Sequence, residues 1–299
     1  MTVMRSLHWP VLSALIVLFA ACGGDQPAQD TLDPAAGLDS AALSERMNKS
    51  KQIFQSIPSP MQMAGLLKKA GAEYNKNVLN DPTRNSSYTA ASKQALNLGI
   101  YGADLSYTSV YNNTHESMLF TAAAQNLAKQ LNISSAFSQE TVDRMEANQN
   151  NRDSLLSIIS ETYWEMDMYL KTNDREHISA LMIVGGWVEG LYIATQVSRT
   201  NDAPELRQRI AEQKISLVDL IALLGTYETD EPAIAAALTD LKAIEVLYAD
   251  VSTGGGGSGT SEENGVTVIG GGGSAATLAD AQLTAIRDKA AAVRNTYTN

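Results

Sequence analysis

The sequence predicts an all-α protein: a single multi-helix bundle of about nine helices, with two buried, glycine-bearing helices at its centre. Three observations carry this. From Asp39 onward apolar residues recur at helical spacing, and no period-2 alternation runs anywhere before residue 265. Proline and the small capping residues fall at segment starts rather than inside them. Two segments, 90–111 and 178–197, are apolar on all sides, which is the pattern of a helix with no solvent face.

The chain opens with a targeting signal. Arg5 supplies a positive start, Pro10 to Ala20 is a short apolar run, and Ala20-Ala21 leads into Cys22, the single cysteine, followed by Gly23 and Gly24. This is the arrangement of a bacterial lipoprotein signal over residues 1–21, with Cys22 lipidated and then the mature N-terminus. Phe19 replaces the usual leucine. The run is too short to be retained as a membrane-spanning helix. Removing the signal leaves 278 of the 299 residues and, because Arg5 leaves with it, moves the formal charge from −11 to about −12. Such a surface repels phosphate backbones, so nucleic acid is excluded as a partner. With Cys22 on lipid no disulfide forms, and stability must come from packing, which the 44% hydrophobic content supports.

Residues 22–38 have Gly and Pro throughout and few large apolar side chains, and read as a flexible tether. The helical domain follows over 39–253. Its start signals are Ser59-Pro60, Ser138, Asp202 ahead of Pro204 and Asp230 ahead of Pro232. One apolar face runs through Leu155, Leu156, Ile159, Tyr163, Met166 and Leu170. A second runs through Leu206, Ile210, Leu217, Ile221 and Leu224, and a third through Ile234, Leu241, Ile244, Tyr248 and Val251. Residues 254–275 break the pattern: GGGGS occurs at 254–258 and again at 270–274, around Val266-Thr267-Val268-Ile269. As natural low complexity or as an inserted linker, this is a flexible loop with at most one short strand. Over 276–299, Thr277 and Asp280 open a last helix, whose stripe of Leu283, Ile286, Ala290, Val293 and Tyr297 needs a partner surface. It is expected to fold back on the bundle.

In the first all-apolar segment, Ser92, Ala95, Gly99, Gly102, Ala103 and Ser106 form a small-residue stripe opposite Ile100, Tyr107 and Tyr111, with Asp104 among them. The second has a seam of Gly186, Gly190 and Ala194, with Trp187 and Glu189 beside it. Each glycine inside a helix costs about 1 kcal/mol, so several on one stripe imply close backbone approach, centred on Gly102 and Gly186. LNLGIYGADLSY (Leu96 to Tyr107) and GGWVEGLYIA (Gly185 to Ala194) resemble stretches of a family of uncharacterised all-helical envelope lipoproteins of Bacteroidota. The resemblance extends from about Ile57 to Val251. It implies an all-helical envelope lipoprotein and carries no functional residues over.

No HExxH, ExxH, CxxC, GxSxG or SxxK pattern occurs, so no catalytic residue and no metal site is assigned. His115 and His177 fall near helix starts and read as exposed polar residues. The remaining candidates are Asp104 and Glu189, because a buried carboxylate must find donors, find a cation or take up a proton. They can share a cation or polar ligand, with Tyr107 and Trp187 walling a pocket. Alternatively they join a structural network with Tyr hydroxyls, Trp187 or Lys93, with Gln213 and Lys214 as further inward donors. The expectation is a non-catalytic protein, without cofactor, that binds another envelope protein or serves a structural role. The alternative is a small-molecule-binding lipoprotein with a pocket between the helices of Asp104 and Glu189. The membrane is engaged through lipid on Cys22, in the outer membrane facing the periplasm, since Gly23 is not the Asp that retains lipoproteins in the inner membrane.

Overall fold

Apolar stripes at 3.6 spacing drive the chain into helices that bury one face each. The computed structural model describes residues 60–227, 231–251, 260–263, 266–269 and 278–299, all within one unit, Ser40–Asn299. Nine α-helices lie among them: α1 Pro60–Lys69, α2 Ala91–Val110, α3 Thr114–Gln130, α4 Gln139–Ala147, α5 Arg152–Thr172, α6 Glu176–Val197, α7 Pro204–Leu224, α8 Pro232–Glu245 and α9 Asp280–Thr298. Short 3₁₀ turns at Lys76–Val78, Pro82–Ser86 and Val246–Tyr248 shape the connections. The protein is all-α. The signal, Cys22, the tether and most of the glycine-rich segment lie outside the described residues.

One departure from the expected pattern is a two-stranded antiparallel ladder. Val266–Ile269 (β2) pairs with Thr260–Glu263 (β1), in the register Thr260 opposite Ile269 and Glu263 opposite Val266. A strand reading TSEE has no alternation of its own. Only its pairing with VTVI, which is rich in β-branched residues, defines it.

Helix boundaries follow the start signals in part. Ser138 caps α4, its hydroxyl accepting from the Thr141 N–H at 3.3 Å. Ser138→Ala should therefore destabilise the fold by about 1 kcal/mol, read as a fall in Tm of roughly 2–4 °C. At α7 the cap position is Ala203, one residue after Asp202, whose carboxylate pairs with Arg207 instead. At α8 it is Glu231, and Asp230 lies outside the described residues. At α9 it is Ala279, whose N–H donates to the Gln282 side chain at 3.1 Å; Thr277 is not described.

The helix ends share a device. Asn112, Asn132, Asp174 and Gly71 take left-handed backbone at φ 56°, 57°, 54° and 78°. In each case the next residue's N–H reaches back five residues, as in Asn113 to Thr108 at 2.9 Å and Arg175 to Leu170 at 2.8 Å. This closure satisfies orphan carbonyls and turns the chain sharply. It joins α2 to α3 and α5 to α6 through very short connections.

Helices α2 and α6 form the centre. Residues 94–110 of α2 are all buried, and α6 is buried along almost its whole length. By length and composition α6 could cross a membrane, but 89% of its apolar window is covered by other helices of the same domain. The two helices touch through backbone. A Cβ on Gly99 would collide with the Met182 carbonyl and the Gly186 N–H, and one on Gly185 would collide with the Leu96 carbonyl. The contact is thus made by Gly99, Gly185 and the expected Gly186, and not by Gly102 or Gly190. Gly102 faces the Tyr163 ring of α5, whose hydroxyl donates to the Leu98 carbonyl at 2.7 Å. A methyl group on Gly190 would meet no atom of another element within 4 Å. The α2 stripe is shared between two neighbours, because positions three apart on a helix face directions about 60° apart. Around this pair pack α1, α3 and α5 on α2, and α7, α8 and α9 on α6. The stripe of α9 is buried at all five expected positions, so the last helix does fold back on the bundle.

Candidate functional site

Asp104 and Glu189, one on each central helix, come together in the core. Both are fully buried. Their partner is Arg294, on the inner face of α9, with Nε donating to Glu189 Oε2 at 2.9 Å and Nη2 to Oε1 at 3.0 Å. This two-pronged geometry is the strongest form of ion pair available to a carboxylate. The guanidinium also lies over the Tyr192 ring, 4.6 Å from its centroid. The Asp104 carboxyl is within hydrogen-bonding reach of Glu189. Its Oδ2 accepts the Asn80 N–H at 3.3 Å, whereas Oδ1 meets no protein donor. Burial pushes the Asp104 carboxyl well above the usual carboxylate range, and the Glu189 charge pushes it further, against the opposing pull of Arg294.

A chain of amides extends the cluster to the end of α9. Asn80 Nδ2 donates to Asn97 Oδ1 at 3.3 Å and to Tyr88 Oη at 3.4 Å. Asn97 Nδ2 donates to the Tyr297 carbonyl at 2.9 Å, and Tyr88 Oη to the Thr298 carbonyl at 3.4 Å. Lys93 reaches the carbonyls of Thr296 and Asn299, placing a cation at the negative end of the helix. The polar groups of the 80–97 region thus hold the last turn of α9 while Arg294 holds its middle.

Tyr107 and Trp187 are not in this cluster. Tyr107 Oη accepts the Asn75 N–H at 3.0 Å, with its ring against Tyr74 and Tyr111. Trp187 Nε1 donates to Ser216 Oγ on α7 at 2.9 Å. The other expected donors are also engaged elsewhere: Gln213 Nε2 with the Arg209 carbonyl, Lys214 with the carbonyls of Ala249 and Val251. A cavity does lie between α1, α2 and α6, against Met63, Leu67, Ala103, Tyr107 and Gly190. Its 10 Å³ is about the room of one water. His115 is exposed and His177 half-buried. Among the described residues no three His, Cys, Asp or Glu side chains converge.

Two residues escaped the sequence reading. Arg294 is a cation on the apolar face of α9, between Ala290 and Tyr297, and that misplaced charge was the available signal. Asp167, fully buried on α5, accepts from Lys171 Nζ at 2.6 Å and from Ser179 Oγ, tying α5 to α6. It sits beside Met166 on the inward face, and its signal was likewise a charge out of place.

The fold and cluster define an all-helical bundle whose two central helices cross at glycines, with a buried acid pair matched by an arginine. No family model, curated protein or solved structure matches the chain.

Proposed function

We propose that the chain is a lipid-anchored protein of the bacterial cell envelope, in the outer membrane facing the periplasm, and that it acts without catalysis as a protein-binding or structural module. The observation that carries the anchor is the apolar run ending in Ala20-Ala21-Cys22. The non-catalytic reading draws support from the core, where each buried acid of the two motifs is engaged inside the protein. The resemblance of Leu96–Tyr107 and Gly185–Ala194 to envelope lipoproteins of Bacteroidota agrees with it. The small-molecule alternative has less support, since Glu189 is already paired and the neighbouring cavity has room for one water. For a protein partner, the strongest candidate contact is Ile215 with Val218, neighbours on α7 that are 54% and 46% exposed.

Metabolic labelling with palmitate tests the anchor. The wild type is expected to carry label and sediment with membranes, and Cys22→Ala to lose label and either leave the membrane or stay as precursor. Equal labelling of both would overturn the anchor. Crosslinking in intact envelopes then tests the module, comparing wild type with Ile215→Glu/Val218→Glu. A discrete adduct lost in the variant supports the binding role, and the same adduct in both removes this surface from it.

A further inference from the structure

Two fully buried carboxyls share the core with one nearly buried guanidinium. The basic side chain that pairs there is Arg294, while Lys93 is committed to the carbonyls at the end of α9. With both acids ionised, the site would hold a net negative charge in a low-dielectric core, at high cost. Two observations bear on this: Asp104 Oδ1 lacks a protein donor, and the Glu189 carboxylate stands within hydrogen-bonding reach of the Asp104 carboxyl.

We propose that Asp104 and Glu189 hold one proton between them, with Asp104 the donor, and that this proton couples the seating of α9 to pH. The charges then balance, Glu189 against Arg294 with Asp104 neutral. The other titratable groups around Asp104 are Tyr101 on α2, Tyr163 on α5, Tyr192 on α6 and Tyr74 ahead of the first 3₁₀ turn. Burial raises all four, so none competes as an anion near neutral pH. Loss of the proton sets a second anion beside Glu189 in the dry core. Arg294 attracts that anion, but burial and Glu189 oppose it more strongly. Ionisation therefore favours lifting α9, which carries Arg294, and admitting water to the pair.

The sign follows from proton binding. Asp104 titrates higher in the folded protein than in the unfolded chain, where it sits near the ordinary value of about 4. Above that pH the folded state holds more protons, so this contribution to stability is complete at acid pH and is lost as pH rises through the folded value. In Asp104→Asn the amide donates to Glu189 and accepts from Asn80 at every pH. Above about pH 4 the folding equilibrium constant of the Asn variant relative to wild type should rise by up to about tenfold per pH unit until the folded Asp104 has lost its proton. Parallel profiles would overturn the shared proton.

Infrared spectroscopy of the wild type alone gives an answer even where the variant folds poorly. One protonated carboxyl per chain is expected at pH 7, and its absence overturns the proposal. Calcium or magnesium that stabilises the wild type but not Asp104→Asn would overturn it in favour of a cation site. Hydrogen exchange tests the coupling. Protection of residues 280–299 should fall between pH 7 and 9 in the wild type more than in Asp104→Asn, and equal loss would separate the proton from α9.

Discussion

Gly99→Leu and Gly185→Leu are each expected to destabilise the protein by about 3 kcal/mol or more, at or beyond the upper end for core overpacking. At each site the added Cβ falls on main-chain atoms of the opposite helix, which cannot rotate away as a side chain can. Relief requires the central helices to separate, and both are packed on every side. Thermal melts should show a fall in Tm of roughly 6–12 °C. Gly190→Ala is the internal control. It lies on the same helix as Gly185, but a methyl there meets nothing within 4 Å, so restored helix propensity should stabilise by up to about 1 kcal/mol. A gain in stability from either leucine would show that the helices do not cross at those glycines.

Arg294→Met should cost about 3–5 kcal/mol, the range for breaking a buried ion pair from one side. The methionine keeps much of the side-chain bulk, so the loss isolates the charge: Glu189 remains buried without its cation and beside Asp104. The double variant Glu189→Gln/Arg294→Met removes both charges, and its destabilisation should be well below the sum of the two single effects. Additive effects in chemical denaturation would mean that the pair does not interact in solution. Because α9 follows the glycine-rich stretch, residues 280–299 should lose exchange protection first in Arg294→Met, ahead of α2 and α6.

Helix content, helix positions and the burial of α2, α6 and the α9 stripe were legible because each follows from local periodicity. Leu283, Ile286, Ala290, Val293 and Tyr297 share one face whatever covers it, and that face must be covered. The left-handed turns at Asn112, Asn132 and Asp174 were harder to read, because asparagine and aspartate favour that backbone only weakly and compete for caps as well. The TSEE strand was not legible, since its pairing comes from the partner strand.

Of the candidate site, the sequence by itself determined that Asp104 and Glu189 lie on helices with no polar face. Burial of an acid then demands a partner, so a polar cluster in the core was implied by composition and spacing. Only the tertiary structure decided which partner. Arg294 lies 105 residues from Glu189 along the chain, and no local pattern relates positions so far apart. The same holds for the glycines. Periodicity places Gly99, Gly102, Gly185, Gly186 and Gly190 on two helices, but a helix offers several neighbouring faces within about 100° of one another. Which glycine meets backbone, which meets Tyr163 and which meets a gap depends on the crossing of two rigid rods, set by the packing of every helix around them.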